Sequence, residues 1–319
     1  MKKITFIYLF LITFSFSTIE ISGDARLRPR YDMKNGTNSF YQMYRARLHI
    51  NADINNGWWF QSTIGTNNIA AITKMGKVDN FTMGYDSLDI TSKPMLHFLT
   101  LSYGLKTDNI GVWGGLIPIK SNPAMDIHYW SNKIVDIPWV LFNNSSTTGF
   151  AGYIKLGTDR LNWFLTVGSQ EIDFNSDLNL GINYKFGLKI VNIMPHFLIS
   201  MNNELSNPMT YGTKMSFNLS DLSPSLSYYQ SRTDAYIINH TRALLVAGLG
   251  SGKLKAWYDY ASKDSEVLQY IWLSYSYTIH QSDFGSISIS PTFRRQMGKI
   301  GDANYFRNKV ELTTQIKFK

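Results

Sequence analysis

The chain has 319 residues, a formal net charge of +8 and no cysteine. The absence of cysteine excludes a disulfide framework, cysteine-ligated zinc and a thiol nucleophile. Charged residues make up 17% of the chain, below the roughly 25% of an average soluble domain, and aromatic residues make up 14%. The mean hydropathy of −0.16 is too polar for a bundle of membrane helices. This composition favours a β-barrel whose strands have one apolar and one wetted face.

The N-terminus has the pattern of an export signal. A basic start (Lys2, Lys3) precedes a mostly apolar run over 4–14, and the small residues Ser15 and Ser17 then occupy the two positions that a signal peptidase reads. The apolar run is shorter than the about 20 residues of a spanning helix, which disfavours the alternative of a single membrane anchor. We therefore predict a signal peptide over residues 1–17, cleaved near Ser17. Its removal takes away two lysines and lowers the net charge from +8 to +6. The remaining residues, 18–319, form one predicted domain.

Period-two alternation runs through the rest of the chain and predicts β-strands. In residues 19–31, apolar side chains such as Ile21 and Leu27 alternate with Arg26 and Arg28. The pattern predicts sixteen strands, an even number as in bacterial membrane barrels. Their predicted spans are 19–31, 41–55, 57–66, 95–106, 109–118, 146–157, 160–169, 178–190, 192–202, 210–219, 223–234, 239–250, 253–261, 266–280, 284–296 and 306–318.

Short turns and longer polar connections alternate between these strands. Segment 80–91 has a strand-like pattern, and placing it in the wall would change the strand count. We place it in the second long connection because that keeps the short–long alternation intact. The predicted long connections are 32–40, 67–94, 119–145, 170–177, 203–209, 235–238, 262–265 and 297–305.

A secreted soluble β-sandwich is the alternative fold, because its strands also alternate. Many predicted strands, however, carry aromatic residues near their ends on the apolar side, which is typical of the aromatic girdles of membrane barrels. The fold class predicted here is therefore all-β, a transmembrane antiparallel β-barrel. The girdle candidates are Tyr31, Tyr44, Trp58, Phe60, Tyr258, Tyr260, Tyr275, Tyr277, Phe293 and Phe318.

The chain resembles the porin-like outer-membrane barrels of Gram-negative bacteria. The resemblance lies in the run Gly-Asp-Ala-Arg-Leu-Arg at 23–28, in Tyr-Arg-Ala-Arg-Leu at 44–48, in the strand–turn–strand unit 97–116 and in the terminal aromatic Phe318. Lys319 follows that aromatic, which departs from the family pattern. The resemblance implies a sixteen-stranded diffusion channel, often trimeric, in the outer membrane. It also implies a third long loop, 119–145, that folds inward.

A positively charged surface is the feature closest to function. Closure places the last strand beside the first, so basic residues of four neighbouring strands share one inner wall, with members two apart on a strand roughly 6.6–6.8 Å from each other. Fixed cations in a water-filled channel attract anions and repel cations. The alternative is an ordinary wet, charged lumen whose loop acids neutralise the arginines. This basic wall comprises Arg26, Arg28, Arg30, Arg45, Arg47, His49, Arg294, Arg307 and Lys309.

Two acids of the third long loop are candidates for the opposite side of a constriction. Our hypothesis is that Asp126 or Asp136 faces the basic wall across the narrowest part of the channel. The alternative is a loop that caps the rim or contacts a neighbouring subunit.

The sequence contains no motif for catalysis, and no pair of histidines has metal-ligand spacing. We expect no enzymatic activity, no cofactor and no bound metal. The expected function is passive diffusion of small hydrophilic solutes with a preference for anions. The expected partners are outer-membrane lipid, these solutes and further copies of the chain in a homotrimer, and we expect no binding of nucleic acid. The alternatives are a channel specific for phosphate, an organic acid or a sugar, and a barrel enzyme or adhesin. Inward-facing Trp257, Tyr270 and Trp272 hint at a sugar track.

Overall fold

The structure is a computed structural model, and its described part does not include the whole chain. The predicted signal peptide, segment 80–91 and both loop acids, Asp126 and Asp136, lie outside the described residues. The described residues are 18–66, 73–74, 96–125, 146–167, 178–188, 190–201 and 207–319.

Over these residues, sixteen antiparallel strands form one sheet that closes on itself, because β1 pairs with both β2 and β17. The predicted strand number and fold class are confirmed. The two-residue strand β4 adds to β2 beyond the end of β3, and a short 3₁₀ turn, Ile119–Ser121, follows β6. The strands are β1 (Thr18–Lys34), β2 (Thr37–Asn55), β3 (Trp58–Thr66), β4 (Thr73–Lys74), β5 (Leu96–Lys106), β6 (Ile110–Pro118), β7 (Ser146–Leu156), β8 (Asp159–Val167), β9 (Leu178–Gly187), β10 (Val191–Met201), β11 (Met209–Phe217), β12 (Leu222–Arg232), β13 (Ile237–Leu249), β14 (Gly252–Lys263), β15 (Glu266–Ser282), β16 (Gly285–Ile300) and β17 (Ala303–Phe318).

The two faces of the sheet differ as the alternation predicts. On the outer face, Ile21 and Leu27 of β1 remain 56% and 50% exposed, and the girdle candidate Trp58 is 51% exposed. On the inner face, Asp24 of the same strand β1 is only 5% exposed. Because successive side chains of a strand point to opposite faces, the apolar set is directed away from the barrel axis. No helix in the described ranges is long and apolar enough to cross a membrane.

Three of the predicted long connections are wrong, because they are tight turns between longer strands. In the first, 32–40, only Asn35 and Gly36 form the turn, with φ of 46° and 85°; an Asn-Gly pair adopts this left-handed backbone readily. The connections predicted at 262–265 and 297–305 likewise shrink to two residues each. As a result β15, β16, β17, β1 and β2 are 16 to 19 residues long, and the basic wall lies on this taller side.

A close approach between strands β5 and β6 explains why position 104 is a glycine. Gly104 of β5 pairs with Trp113 of β6. A Cβ added at Gly104 would lie 2.2 Å from the carbonyl oxygen of Val112 and 2.5 Å from the Cα of Trp113. Backbone atoms cannot move aside as the end of a flexible side chain can, so any side chain here must separate the two strands.

We expect Gly104→Val to impair folding of the barrel, with a loss of more than about 3 kcal/mol because the overlap exceeds ordinary overpacking. Electrophoresis of unheated and heated samples after refolding in detergent measures the folded fraction. Gly248→Val is the matched control, since a Cβ there has no neighbour nearer than 3.8 Å. Equal folding of the two variants would contradict the predicted clash.

Candidate functional site

Strand register brings the predicted basic residues together on the inner face. Between β1 and β2, Arg26 lies opposite Arg45, and Asp24 lies opposite Arg47. Between β16 and β17, Arg294 lies opposite Lys309. Like charges directly opposite each other on neighbouring strands destabilise a sheet. Three carboxylates, Asp24, Asp32 and Glu311, lie among these cations and offset that repulsion.

Asp24 organises the cations of β2. Arg45 donates a hydrogen bond from Nη2 to Oδ1 of Asp24 at 3.1 Å, and Arg47 donates from Nε to Oδ2 at 2.8 Å. Nε2 of His49 lies 3.5 Å from the same carboxylate, and Nε of Arg26 lies 3.9 Å away. A carboxylate that is 5% exposed needs such partners, because an unpaired buried charge is strongly unfavourable.

Glu311 of β17 organises a second group of cations at mid-height in the barrel. Its side chain is fully buried, and its Oε1 lies 2.5 Å from Nε of Arg30. Its Oε2 lies 2.9 Å from Nη2 of Arg294 and 3.7 Å from Nη1 of Arg28. One carboxylate therefore faces three guanidinium groups from the two strands that flank β17, two from β1 and one from β16, and it cannot neutralise all of them.

Asp32 forms the third group, which the sequence prediction missed. Arg307 donates two hydrogen bonds to it, from Nε at 2.8 Å and from Nη2 at 2.5 Å. Tyr41 of β2 donates from its hydroxyl to Oδ2 at 2.8 Å and accepts from Nη1 of Arg30 at 3.2 Å. The sequence prediction ends the first strand at residue 31 and therefore places Asp32 in a long connection. The Asn-Gly turn that follows, flanked by continued alternation, is the signal that locates it.

The basic wall keeps a positive surplus after this pairing. It has eight lysine and arginine side chains against the three carboxylates, a formal excess of five charges. Arg26 is the most exposed arginine in the Asp24 group, at 27%, and makes the longest contact with that carboxylate. Its charge is therefore the least compensated by Asp24. The geometry can stabilise an anion that approaches this wall, because charges of one sign on a wall of low dielectric focus the field into the lumen.

Two tryptophans extend the wall sideways. Trp257 of β14 and Trp272 of β15 are directly paired, with ring centroids 4.0 Å apart and planes inclined by 33°. The guanidinium of Arg294 lies 3.6 Å from the centroid of Trp272, and the ammonium of Lys255 lies 4.7 Å from that of Trp257. The two indoles are partly exposed. Both lie on the inner face together with Arg294, as the alternation of the sequence predicts for Trp257 and Trp272.

The first residues of the third long connection, 119–125, pack against strands β6, β7 and β8. Asn122 is fully buried and donates hydrogen bonds from Nδ2 to the carbonyl oxygens of Gly152 at 2.9 Å and Trp163 at 3.1 Å. Trp113 donates from Nε1 to Oγ of Ser121 at 3.2 Å. These contacts attach residues 119–125 to β6, β7 and β8. The described ranges contain no group of three or more metal-binding side chains.

The structure is similar to solved bacterial outer-membrane proteins. A loop-deletion mutant of OmpT, an outer membrane protein of Vibrio cholerae, matches with a TM-score of 0.62 and 9% identity over 95% of this chain and 99% of that chain. An anion-selective porin from Comamonas acidovorans matches with a TM-score of 0.57 and 11% identity over 95% and 99%. A mutant of the Rh. blastica porin matches with a TM-score of 0.61 and 11% identity over 93% and 100%. No protein-family model matches the chain, and no curated protein matches its sequence.

These likenesses, together with strand closure, define the fold. The chain folds as a closed sixteen-stranded antiparallel barrel of the kind seen in bacterial outer-membrane porins. The fold expected from the resemblance at 23–28 and 44–48 is thus confirmed.

Proposed function

We propose that the protein is an outer-membrane channel for the passive diffusion of small hydrophilic solutes. The observation that carries the proposal is a closed barrel with an exposed apolar outer face and a charged inner face. Water would disfavour that outer face by about 25 cal/mol per Å², whereas lipid accepts it. A barrel of sixteen strands is wide enough to leave an aqueous lumen.

The proposal includes export and location. The predicted signal peptide over residues 1–17 would direct the chain out of the cytoplasm, and the barrel would insert in the outer membrane of a Gram-negative bacterium, in contact with its lipid. A homotrimer is proposed by analogy, since one similar structure is a trimer form of OmpT of Vibrio cholerae. The channel function needs no catalytic activity, no cofactor and no nucleic acid.

The basic wall supports a preference for anions. Its eight cations and three carboxylates lie on neighbouring strands of one side of the barrel, where the excess charge acts on the same stretch of lumen. The similar barrel from Comamonas acidovorans is named as an anion-selective porin, which agrees with this proposal for our chain. Asp126 and Asp136 remain the proposed acids of the third loop that face the wall.

Purified protein reconstituted in liposomes tests the channel itself. We expect liposomes that contain the folded protein to swell in an iso-osmotic solution of a small sugar, because solute and water enter through the lumen. Liposomes that contain protein heated before reconstitution are the control. A protein that stays in the soluble fraction of cells, migrates alike with and without heating and causes no swelling would contradict the proposal.

A further inference from the structure

The stacked pair Trp257 and Trp272 is unexplained by ion conduction. Polar side chains suffice to line an aqueous channel, and exposing the apolar surface of two indoles to the water of the lumen costs free energy. Cross-strand packing gives such a pair some stability, but outer-face positions such as Trp58 provide aromatic packing in lipid at no such cost. An aromatic surface in a wet lumen is instead what stacks with the flat or apolar face of a passing solute.

Cations surround this aromatic surface on both sides. Arg294 stacks on Trp272, with 3.6 Å between the guanidinium carbon and the ring centroid, and Lys255 lies 4.7 Å from the ring of Trp257. Arg242 lies 5.6 Å from the same ring. A guanidinium that lies flat on an indole directs its N–H donors sideways, where a carboxylate beside the ring can accept them.

The carboxylate that pairs with Arg294 is shared with other cations. Arg294 meets Glu311 at 2.9 Å, but Glu311 is shared with Arg28 and Arg30. Asp259 accepts two hydrogen bonds from Arg242, at 2.5 and 2.7 Å. The charge of Arg294 is therefore only partly balanced, because one carboxylate serves three guanidinium groups, and the surroundings of Arg294 favour an additional negative charge.

We propose that Trp257, Trp272 and Arg294 form a binding station for organic acids in which a carboxylate is attached to a ring. The proposal rests on the channel function and names its preferred solute class. The ring, either an aromatic ring or a pyranose with its apolar C–H face, packs against the exposed edge of the indole pair, because Trp257 and Arg294 already lie over the faces of Trp272, and Arg294 binds the carboxylate. A small inorganic anion lacks the ring, and a neutral sugar lacks the charge, so each uses half of the station.

The position of the station supports a role in passage. Trp257 lies near the middle of β14 (Gly252–Lys263), and Arg294 lies near the middle of β16 (Gly285–Ile300). Any solute that crosses the barrel must pass this height. Arg294 also belongs to the Glu311 group, so an acid released from the station meets the rest of the basic wall directly.

Calorimetric titration of the detergent-folded protein tests the station with defined probes. Benzoate and galacturonate represent the two ring types, and acetate and galactose lack the ring or the charge. We expect benzoate, galacturonate or both to bind at least about tenfold more tightly than acetate, which lacks the ring, a factor typical of one aromatic contact, and than galactose, which lacks the carboxylate that Arg294 binds. Binding of benzoate alone identifies an aromatic acid as the preferred solute, and binding of galacturonate alone identifies a sugar acid.

Matched variants assign that binding to the station. Trp272→Leu and Arg294→Lys should each reduce the affinity about tenfold, the first by removing the ring surface and the second by replacing a planar guanidinium with a point charge. Trp58→Leu, which changes an indole on the outer face, should bind like the unmodified protein. Equal binding of all four probes, or equal loss in Trp58→Leu, would overturn the station. Liposome swelling with a neutral sugar would still report the channel, so failure of the station is distinguishable from failure of the proposed function.

Discussion

A variant that loses half of the cations of the basic wall should lose most of its preference for anions. The change replaces four arginines by alanine and leaves four cations beside three carboxylates, so the surplus falls from five charges to one. If the wall raises the lumen potential by about one kT, anions are favoured over cations by about sevenfold, and the variant should approach a ratio of one. The zero-current potential in a tenfold potassium chloride gradient measures the ratio. The four residues are Arg26, Arg28, Arg45 and Arg47.

Neighbouring arginines of opposite orientation supply the control for this variant. Arg294 belongs to the basic wall, whereas Arg295 lies on the outer face, where its guanidinium is 5.1 Å from the ring of Phe306. Arg295→Ala removes one positive charge from the outer face and none from the lumen, and it should keep the original zero-current potential. An unchanged potential in the fourfold variant, or an equal shift in the Arg295 variant, would contradict a role of the basic wall in selectivity.

Replacing Glu311 by glutamine should destabilise the barrel by about 3–5 kcal/mol, the usual cost of breaking a buried ion pair by removing one partner. The side chain is fully buried between Arg28, Arg30 and Arg294. Its amide leaves three guanidinium groups close together without a counter-charge. Denaturant unfolding in detergent, followed by tryptophan fluorescence, measures the change. In the fraction that folds, the preference for anions should increase, because a negative charge has been removed from the wall.

An exposed carboxylate provides the comparison for the Glu311 variant. Glu20 of β1 is exposed and takes part in none of the ion pairs around Asp24, Asp32 or Glu311. Glu20→Gln makes the same formal change and should alter the free energy of unfolding by less than about 0.5 kcal/mol. Equal stability of the two variants would show that the ion pairs of Glu311 do not support the fold.

The number of strands, and the face on which each side chain lies, could be predicted from the sequence because both depend on residues that are close together in the chain. In a membrane barrel every strand has one face toward lipid and one toward the lumen, so the polarity of each residue indicates the face on which its side chain lies. Leu27 and Arg28 show this directly, since they are adjacent and lie on opposite faces. The turn at Asn35 and Gly36 also has a local sequence signal, but the polar residues around it are typical of a loop. For this reason the predicted first and second strands, 19–31 and 41–55, are shorter than β1 and β2.

The partners within the basic wall could not be predicted from the sequence, because they depend on pairing between distant segments. Arg28 donates a hydrogen bond to Thr313, which lies 285 residues further along the chain. The contact of Arg294 with Trp272 depends on the register of β15 against β16. Alternation assigns a face but not a height along the barrel. The sequence therefore indicated that these residues share a wall, and only the register shows which carboxylate binds which cation.

The most direct test of the proposed channel is a planar-bilayer recording of the purified, unmodified protein in a tenfold potassium chloride gradient. We expect stepwise conductance increases as single barrels insert, and a zero-current potential whose sign corresponds to a chloride permeability greater than that of potassium. The excess positive charge of the basic wall predicts that sign. Folded protein that inserts without conductance, or a potential that favours potassium, would contradict an open channel selective for anions.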